Sequence, residues 1–247
     1  MRYFIELSYN GKAYHGWQNQ PNAVSIQEVL ESSLSKLLNE TVAIVGAGRT
    51  DAGVHAKQMF AHFDSNVGFD KDNLVYKLNS FLPNDIAIHA IFKVKPEAHA
   101  RFDALSRTYL YRVDFKKNVF TFDQSYYIKQ DLNVDDMNIA TKVLFEYKDF
   151  KCFSKSRTDV KTYDCNIMEA QWFFNQGELH FIIKADRFLR NMVRAIVGTM
   201  INIGLGKISI DEFHAIIQSK NRSKAGFSVP AHGLYLIEVA YPNTIKL

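Results

Sequence analysis

The chain has two cysteines, Cys152 and Cys165, in 247 residues. Two cysteines cannot build a disulfide framework, and no C-x2-C pair offers a zinc pattern. This predicts a reduced, cytosolic protein, with one optional bridge left open. No run of 18 apolar residues occurs, so no segment is expected to span a membrane. The start, MRYFIELSYNGK, alternates polar and apolar residues and reads as neither a signal peptide nor a transit peptide. The eight histidines are scattered, without H-E-x-x-H or another close ligand pair, so no catalytic metal is expected. The Gly-rich segment is not followed by the Gly-Lys-Ser/Thr of a P-loop. No G-x-S-x-G marks an acyl-transfer serine.

What is present is apolar material. The hydrophobic fraction is 47% and aromatics are 13%, enough for a sizeable core in one large domain or two smaller ones. A net charge of +4 is too small to name a partner, but it is unevenly spread. Residues 1–103 carry 10 basic and 11 acidic side chains, and residues 104–247 carry 20 and 15. Lys184 to Lys224 holds eight basic residues against three acidic ones. Such a surface is either a phosphate footprint or a solvated charged face.

The hydrophobic pattern predicts an α+β chain. Tyr3, Ile5, Leu7 and Tyr9 alternate with Arg2, Phe4, Glu6 and Ser8, the period of a half-buried strand. Ser25 and Glu28 predict a capping box for a helix through Leu38. Strands are expected over Thr41–Val45, Lys57–Phe63 and Asp85–Val94, with a helix over Asp70–Phe81. The order β-α-β-β-α-β predicts a ferredoxin-like layer for residues 1–103. Residues 104–247 follow a similar outline. Strands are expected over Tyr109–Phe115, Cys165–Phe174, Leu179–Ala185 and Leu234–Tyr241, and helices over Asn133–Glu146, Phe188–Ile203 and Ser209 to about Gln218. Asn175-Gln176-Gly177-Glu178 predicts a hairpin turn.

Three segments could carry chemistry. The loop Gly46-Ala47-Gly48-Arg49-Thr50-Asp51-Ala52-Gly53 presents one arginine and one carboxylate between two strands. An aspartate in such a turn ordinarily hydrogen-bonds its own backbone. In Ser106–Arg112, alternation puts Tyr109 and Tyr111 on one face, which suits ordinary sheet packing as well as a site. If the helix already runs from Arg187, then Arg187, Arg190 and Arg194 share a face. Arg194 lies among apolar residues, either as a partly buried guanidinium seeking an anionic partner or with its stem along the core edge.

Together these segments resemble the tRNA pseudouridine synthase A family nearly end to end. The resemblance is carried by YFIELSYNGKAYHGWQ, SIQEVLE, GAGRTDAGVHA, LPNDI, HARFDALSRTYLYR, FLRNMVRAIVG and HGLYLIEVAYP, of which GRTDAGVHA is the most specific. It implies the pseudouridine synthase fold: two ferredoxin-like α/β halves, 1–103 and 104–247, with mainly antiparallel sheets joined into one central sheet and an active-site cleft between them. The implied reaction isomerises uridine to pseudouridine at positions 38, 39 and 40 of the tRNA anticodon stem and loop.

By the same resemblance Asp51 is the nucleophile, Arg194 its ion-pair partner and Tyr109 the residue that stacks on the base, with a possible proton transfer. Arg49 displaces the target base, and Leu234 packs on it. Arg187 and Arg190 are candidate RNA contacts, and they mark departures from the family pattern at Ala185-Asp186-Arg187 and Arg190-Asn191. A homodimer without metal or organic cofactor, located in the cytoplasm, is implied. The carboxylate attacks either C1′ of the ribose or C6 of the base. Rival readings are a catalytically silent RNA-binding module, a family member acting on other positions, and an acid–base hydrolase. The last lacks a second carboxylate or a nucleophile–His pair near Asp51.

Overall fold

The computed structural model of the protein describes residues 1–155 and 160–247. Among these are nine strands and five α-helices, and most of the strand pairing is antiparallel. The chain divides into two compact units, residues 1–106 with 236–247, and residues 107–235.

In the first unit the N-terminal alternation forms β1 (Arg2–Tyr9). It lies antiparallel between β3 (His55–Asp64) and β4 (Ile86–Lys93). The short β2 (Ile44–Gly46) pairs antiparallel with β3, giving the order β4-β1-β3-β2. The helices α1 (Ile26–Leu38) and α2 (Lys71–Phe81) fall between the strands as expected, so the β-α-β-β-α-β order is realised as a ferredoxin-like layer. The closing strand β9 (Leu234–Ala240) also pairs with β3.

Two details differ from the sequence pattern. β2 starts at Ile44 rather than Thr41. After α1 the chain turns at Asn39 with φ +53°, and Val42 N–H donates to Ser35 Oγ, so residues 41–43 serve the return. Phe4, on the face expected to be polar, is fully buried. Tyr241 meets its ring edge-on at 5.3 Å and covers that face.

In the second unit β5 (Ser106–Asp114) pairs antiparallel with β8 (Glu178–Ala185), and β8 with β7 (Ile167–Asn175). The expected hairpin turn is present, with positive φ at both Gln176 and Gly177, the signature of a two-residue primed turn. A two-residue strand that no pattern announced, β6 (Tyr126–Tyr127), runs parallel to the end of β5. The helices are α3 (Val134–Val143), α4 (Met192–Gly204) and α5 (Ile210–Gln218). Trp172 links sheet to helix: it packs on Phe181 at 4.7 Å and donates to Met200 Sδ on α4. The capping box at Ser209 and Glu212 makes both of its bonds. At Ser25 the Oγ accepts from Glu28 N–H and is itself donated to Asn19.

α4 corrects one expectation. It begins at Met192, not Phe188, because Asn191 takes a left-handed conformation with φ +67°. Arg187 and Arg190 therefore lie in the irregular lead-in, and the shared helical face with Arg194 does not exist.

Among the described residues no helix is long and apolar enough to cross a membrane. No three His, Cys, Asp or Glu side chains among them gather into a group that could hold a metal ion.

Candidate active site

The Asp51 loop joins β2 to β3 in the first unit. Thr50 is buried, Asp51 half-buried and Arg49 exposed. The turn closes on itself where Val54 N–H donates to Asp51 O at 3.1 Å. Its outer support is the segment that follows β1. Trp17 N–H donates to Thr50 O at 3.2 Å, and Gly53 N–H donates to Tyr14 O at 3.3 Å. The Tyr9 hydroxyl and Thr50 Oγ1 share a hydrogen bond of 2.9 Å. Gly16 is required here on two counts. Its φ is +94°, and a Cβ would sit 2.5 Å from Thr50 O and 3.2 Å from Ala52 N. The stretch Tyr9 to Trp17 is thus the bed on which the aspartate loop lies. Sequence reasoning gave this segment no role, although its closely spaced glycines and aromatics were the available signal.

The other candidates belong to the second unit. Tyr109 is half-buried on β5, opposite Ile183 of β8, with Phe188 edge-on to its ring at 5.2 Å. Tyr111, two residues on, is fully buried, and its hydroxyl donates to Pro230 O at 2.9 Å. Burial pushes the Tyr111 phenol well above its usual range, so it serves as a neutral packing group.

Arg194 on α4 is half-buried. Its Nε donates to Val229 O at 2.7 Å, while Val229 N–H donates back to Arg194 O at 3.2 Å. This reciprocal pair fixes the guanidinium stem against the 225–230 segment. Neighbouring bonds hold that segment in place: Asn191 Nδ2 to Ser228 Oγ at 2.6 Å, Arg222 to Ser228 Oγ at 2.9 Å, and Arg222 to Gly226 O at 3.0 Å. Arg190 is exposed, and Arg187 is half-buried with one guanidinium nitrogen on Thr162 O.

Leu234 opens β9 directly after the tight turn Ala231–Gly233 and is only 6% exposed. A side chain at Gly233 would meet the Tyr111 ring at 2.8 Å, which ties the turn before Leu234 to β5. Burial holds the pKa of the His232 imidazole in this turn below its ordinary value.

A second charged group braces the far end of β5. Arg112 grips Glu178 with two bonds, at 2.8 and 2.5 Å, and Glu178 also meets His180 at 2.8 Å. The Arg112 bonds hold the Glu178 carboxyl below its usual range. Arg112 also lies over the Tyr235 ring. The cluster ties β5, the strand that carries Tyr109, to β8.

A family model described as tRNA pseudouridine synthase matches residues 7–103 and 146–242. A protein of Parabacteroides distasonis named tRNA pseudouridine synthase A is 53% identical over 247 residues, covering 99% of this chain and 97% of that one. A Bacteroides fragilis protein of the same name is 51% identical, covering 99% and 98%. One from Thermoanaerobacter pseudethanolicus is 41% identical, covering 96% and 98%. With both matched segments spanning the two units, and the Asp51 loop and Arg194 inside them, this chain belongs to the tRNA pseudouridine synthase family.

Proposed function

We propose that this isomerase of the tRNA pseudouridine synthase family converts uridine to pseudouridine at positions 38, 39 and 40 of the tRNA anticodon stem and loop. The observation that carries the site assignment is the Asp51 loop. A half-buried carboxylate sits on a turn whose backbone is tied down on both sides by the Tyr9–Trp17 segment. Asp51 is the nucleophile, attacking C1′ of the ribose or C6 of the base. The N1–C1′ bond breaks, the uracil turns, C5 bonds to C1′, and the bond from Asp51 to C1′ or C6 breaks to return the free carboxylate. The C5 proton is then lost and N1 is protonated, so atoms and electrons balance without an external oxidant or energy source.

Arg194 is the proposed ion-pair partner of the Asp51 carboxylate and orients it. Its stem, already fixed by the Val229 bonds, would reach a carboxylate with little further ordering. Tyr109 stacks on the base. A phenol is a poor base unless its pKa is shifted, so stacking is the main part of its role. Leu234 packs against the base. Arg49, exposed on the same loop as Asp51, fills the space left when the uridine leaves the helical stack, a step that costs a few kcal/mol. Arg187 and Arg190 contact the RNA backbone. The working form is a homodimer in the cytoplasm, and the metal-free chemistry follows from a nucleophile that needs no activation.

The test is Asp51→Asn, which keeps the side-chain shape and removes the charge. Pseudouridine at positions 38 to 40, mapped in bulk tRNA from a strain lacking its own activity, is expected to vanish while tRNA binding is retained. Modification at wild-type levels by Asp51→Asn would overturn the assignment. Pseudouridine appearing elsewhere in the tRNA with the wild-type protein would overturn the target positions alone.

A further inference from the structure

The bed under the Asp51 loop is itself anchored, and its anchor is distant in sequence. Tyr14 is 7% exposed and faces two ways. Its carbonyl accepts the Gly53 N–H at 3.3 Å, two residues beyond Asp51. Its hydroxyl donates to Asp85 Oδ1 at 2.6 Å, the short length of a hydrogen bond to a carboxylate. The Asp85 backbone holds the same segment a second time, where Asn10 N–H donates to Asp85 O at 2.9 Å. Asp85 is in turn fixed just before β4, beside the turn in which Ile86 N–H donates to Pro83 O. Burial, then the bond to Asp85, holds the Tyr14 phenol far above its usual range, so it remains a hydrogen donor at any working pH.

We propose that Tyr14 and Asp85 are positioning residues for the isomerisation: their hydrogen bond sets the height of the Tyr9–Trp17 segment and so the placement of the Asp51 carboxylate. The inference rests on the reading of Asp51 as the nucleophile. The rest of the segment is secured independently. Ile26 N–H donates to Gly16 O, Gln27 N–H to Trp17 O and His15 N–H to Val24 O. Gly11 N–H also donates to His55 Nδ1 at 3.1 Å, so loss of the Tyr14 hydroxyl leaves the segment folded and loosens it at Tyr14, the residue whose carbonyl holds Gly53. A nucleophile displaced by a fraction of an ångström to an ångström loses up to about 100-fold in rate, while RNA contacts made elsewhere are unaffected.

The test compares Tyr14→Phe, Asp85→Ala, Asp85→Asn, the double variant Tyr14→Phe/Asp85→Ala and Asp51→Asn. Each is assayed under single-turnover conditions on a tRNA transcript, with tRNA affinity and thermal midpoint measured alongside. Tyr14→Phe and Asp85→Ala are expected to lower the rate constant by roughly 10- to 100-fold at unchanged amplitude and unchanged tRNA affinity. The double variant is expected to be no slower than either single one, because the two share one bond. Asp85→Asn, which still offers an oxygen to the phenol, is expected to stay within a few-fold of wild type.

A merely structural role would lower the amplitude or the thermal midpoint and leave the rate constant of the surviving enzyme untouched. That result, or a wild-type rate constant in Tyr14→Phe, overturns the proposal. If Asp85→Ala does not fold, Tyr14→Phe against Asp85→Asn carries the comparison. An active Asp51→Asn enzyme removes the nucleophile reading. An inactive one beside a fully active Tyr14→Phe removes the positioning role alone.

Discussion

The His62 ring is 5% exposed, and its Nδ1 accepts the Ala100 N–H at 3.1 Å. An imidazole that accepts at Nδ1 must be unprotonated there, and protonation would break the bond. Burial, then the positive field of Arg2, pushes the His62 pKa down to about 4. The folded value lies below the unfolded one of about 6.5. As the pH falls, the unfolded chain therefore binds the proton first. The stability contributed by a neutral His62 is complete above pH 6.5 and is lost as the pH falls from there through about 4. At pH 5 the loss is about 2 kcal/mol. The carboxyl of Asp64, lowered by its bonds to Arg2, titrates below this window and does not obscure it. The urea midpoint of the wild-type protein is expected to drop between pH 7.5 and pH 5, and His62→Gln, which can still accept from Ala100, is expected to drop less. Equal drops in the two proteins would show that His62 does not govern this part of the acid limb.

At the scale of elements, α4 and the segment after α5 are built as one unit. Gly226 N–H donates to Thr199 Oγ1 at 2.8 Å, and a Cβ at Gly226 would lie 2.8 Å from the Thr199 backbone and 2.9 Å from Gly198 C. These are helix backbone atoms, which cannot swing aside as a flexible side chain would. Gly226→Ala must lift the segment that carries Val229, the residue bonded to Arg194 at both its backbone and its guanidinium. The expected result is about 1–3 kcal/mol lost in urea unfolding, with turnover falling further than the loss of folded protein explains. Gly68→Ala is the control, since nothing lies within 4 Å of the added methyl.

These couplings mark what the sequence pattern can and cannot convey. Strand alternation and capping residues located most elements, because they act over a few residues. The Asp51 loop stood out because its glycines and its motif are contiguous. The bond from Tyr14 to Asp85 joins residues 71 apart, and no local period reports it. The helical face assigned to Arg187 and Arg190 failed because one left-handed residue, Asn191, halts a helix without disturbing the apolar spacing.

The whole molecule carries its charge unevenly, and the division follows the two units. The first unit has 11 basic and 12 acidic side chains, and the second has 19 and 14. A net of +4 over the chain would give only weak long-range attraction to a polyanion. A near-neutral unit bearing Asp51 and a basic unit bearing Arg187, Arg190 and Arg194 concentrate that attraction in one part of the molecule. A folded RNA held there would be held through its phosphates and its shape. Each phosphate neutralised steepens the fall of log K with log salt by roughly 0.7 to 0.9. Three to five such contacts would weaken tRNA binding by about one to three orders of magnitude between 50 and 200 mM salt. Filter binding or anisotropy over that range measures the slope directly. Arg190→Gln removes one exposed cation and is expected to weaken binding to every tRNA by a similar factor and to flatten the slope by about one contact. An unchanged slope would place Arg190 outside the phosphate interface, and a flat slope in the wild type would mean that base contacts and stacking, not the basic second unit, hold the tRNA.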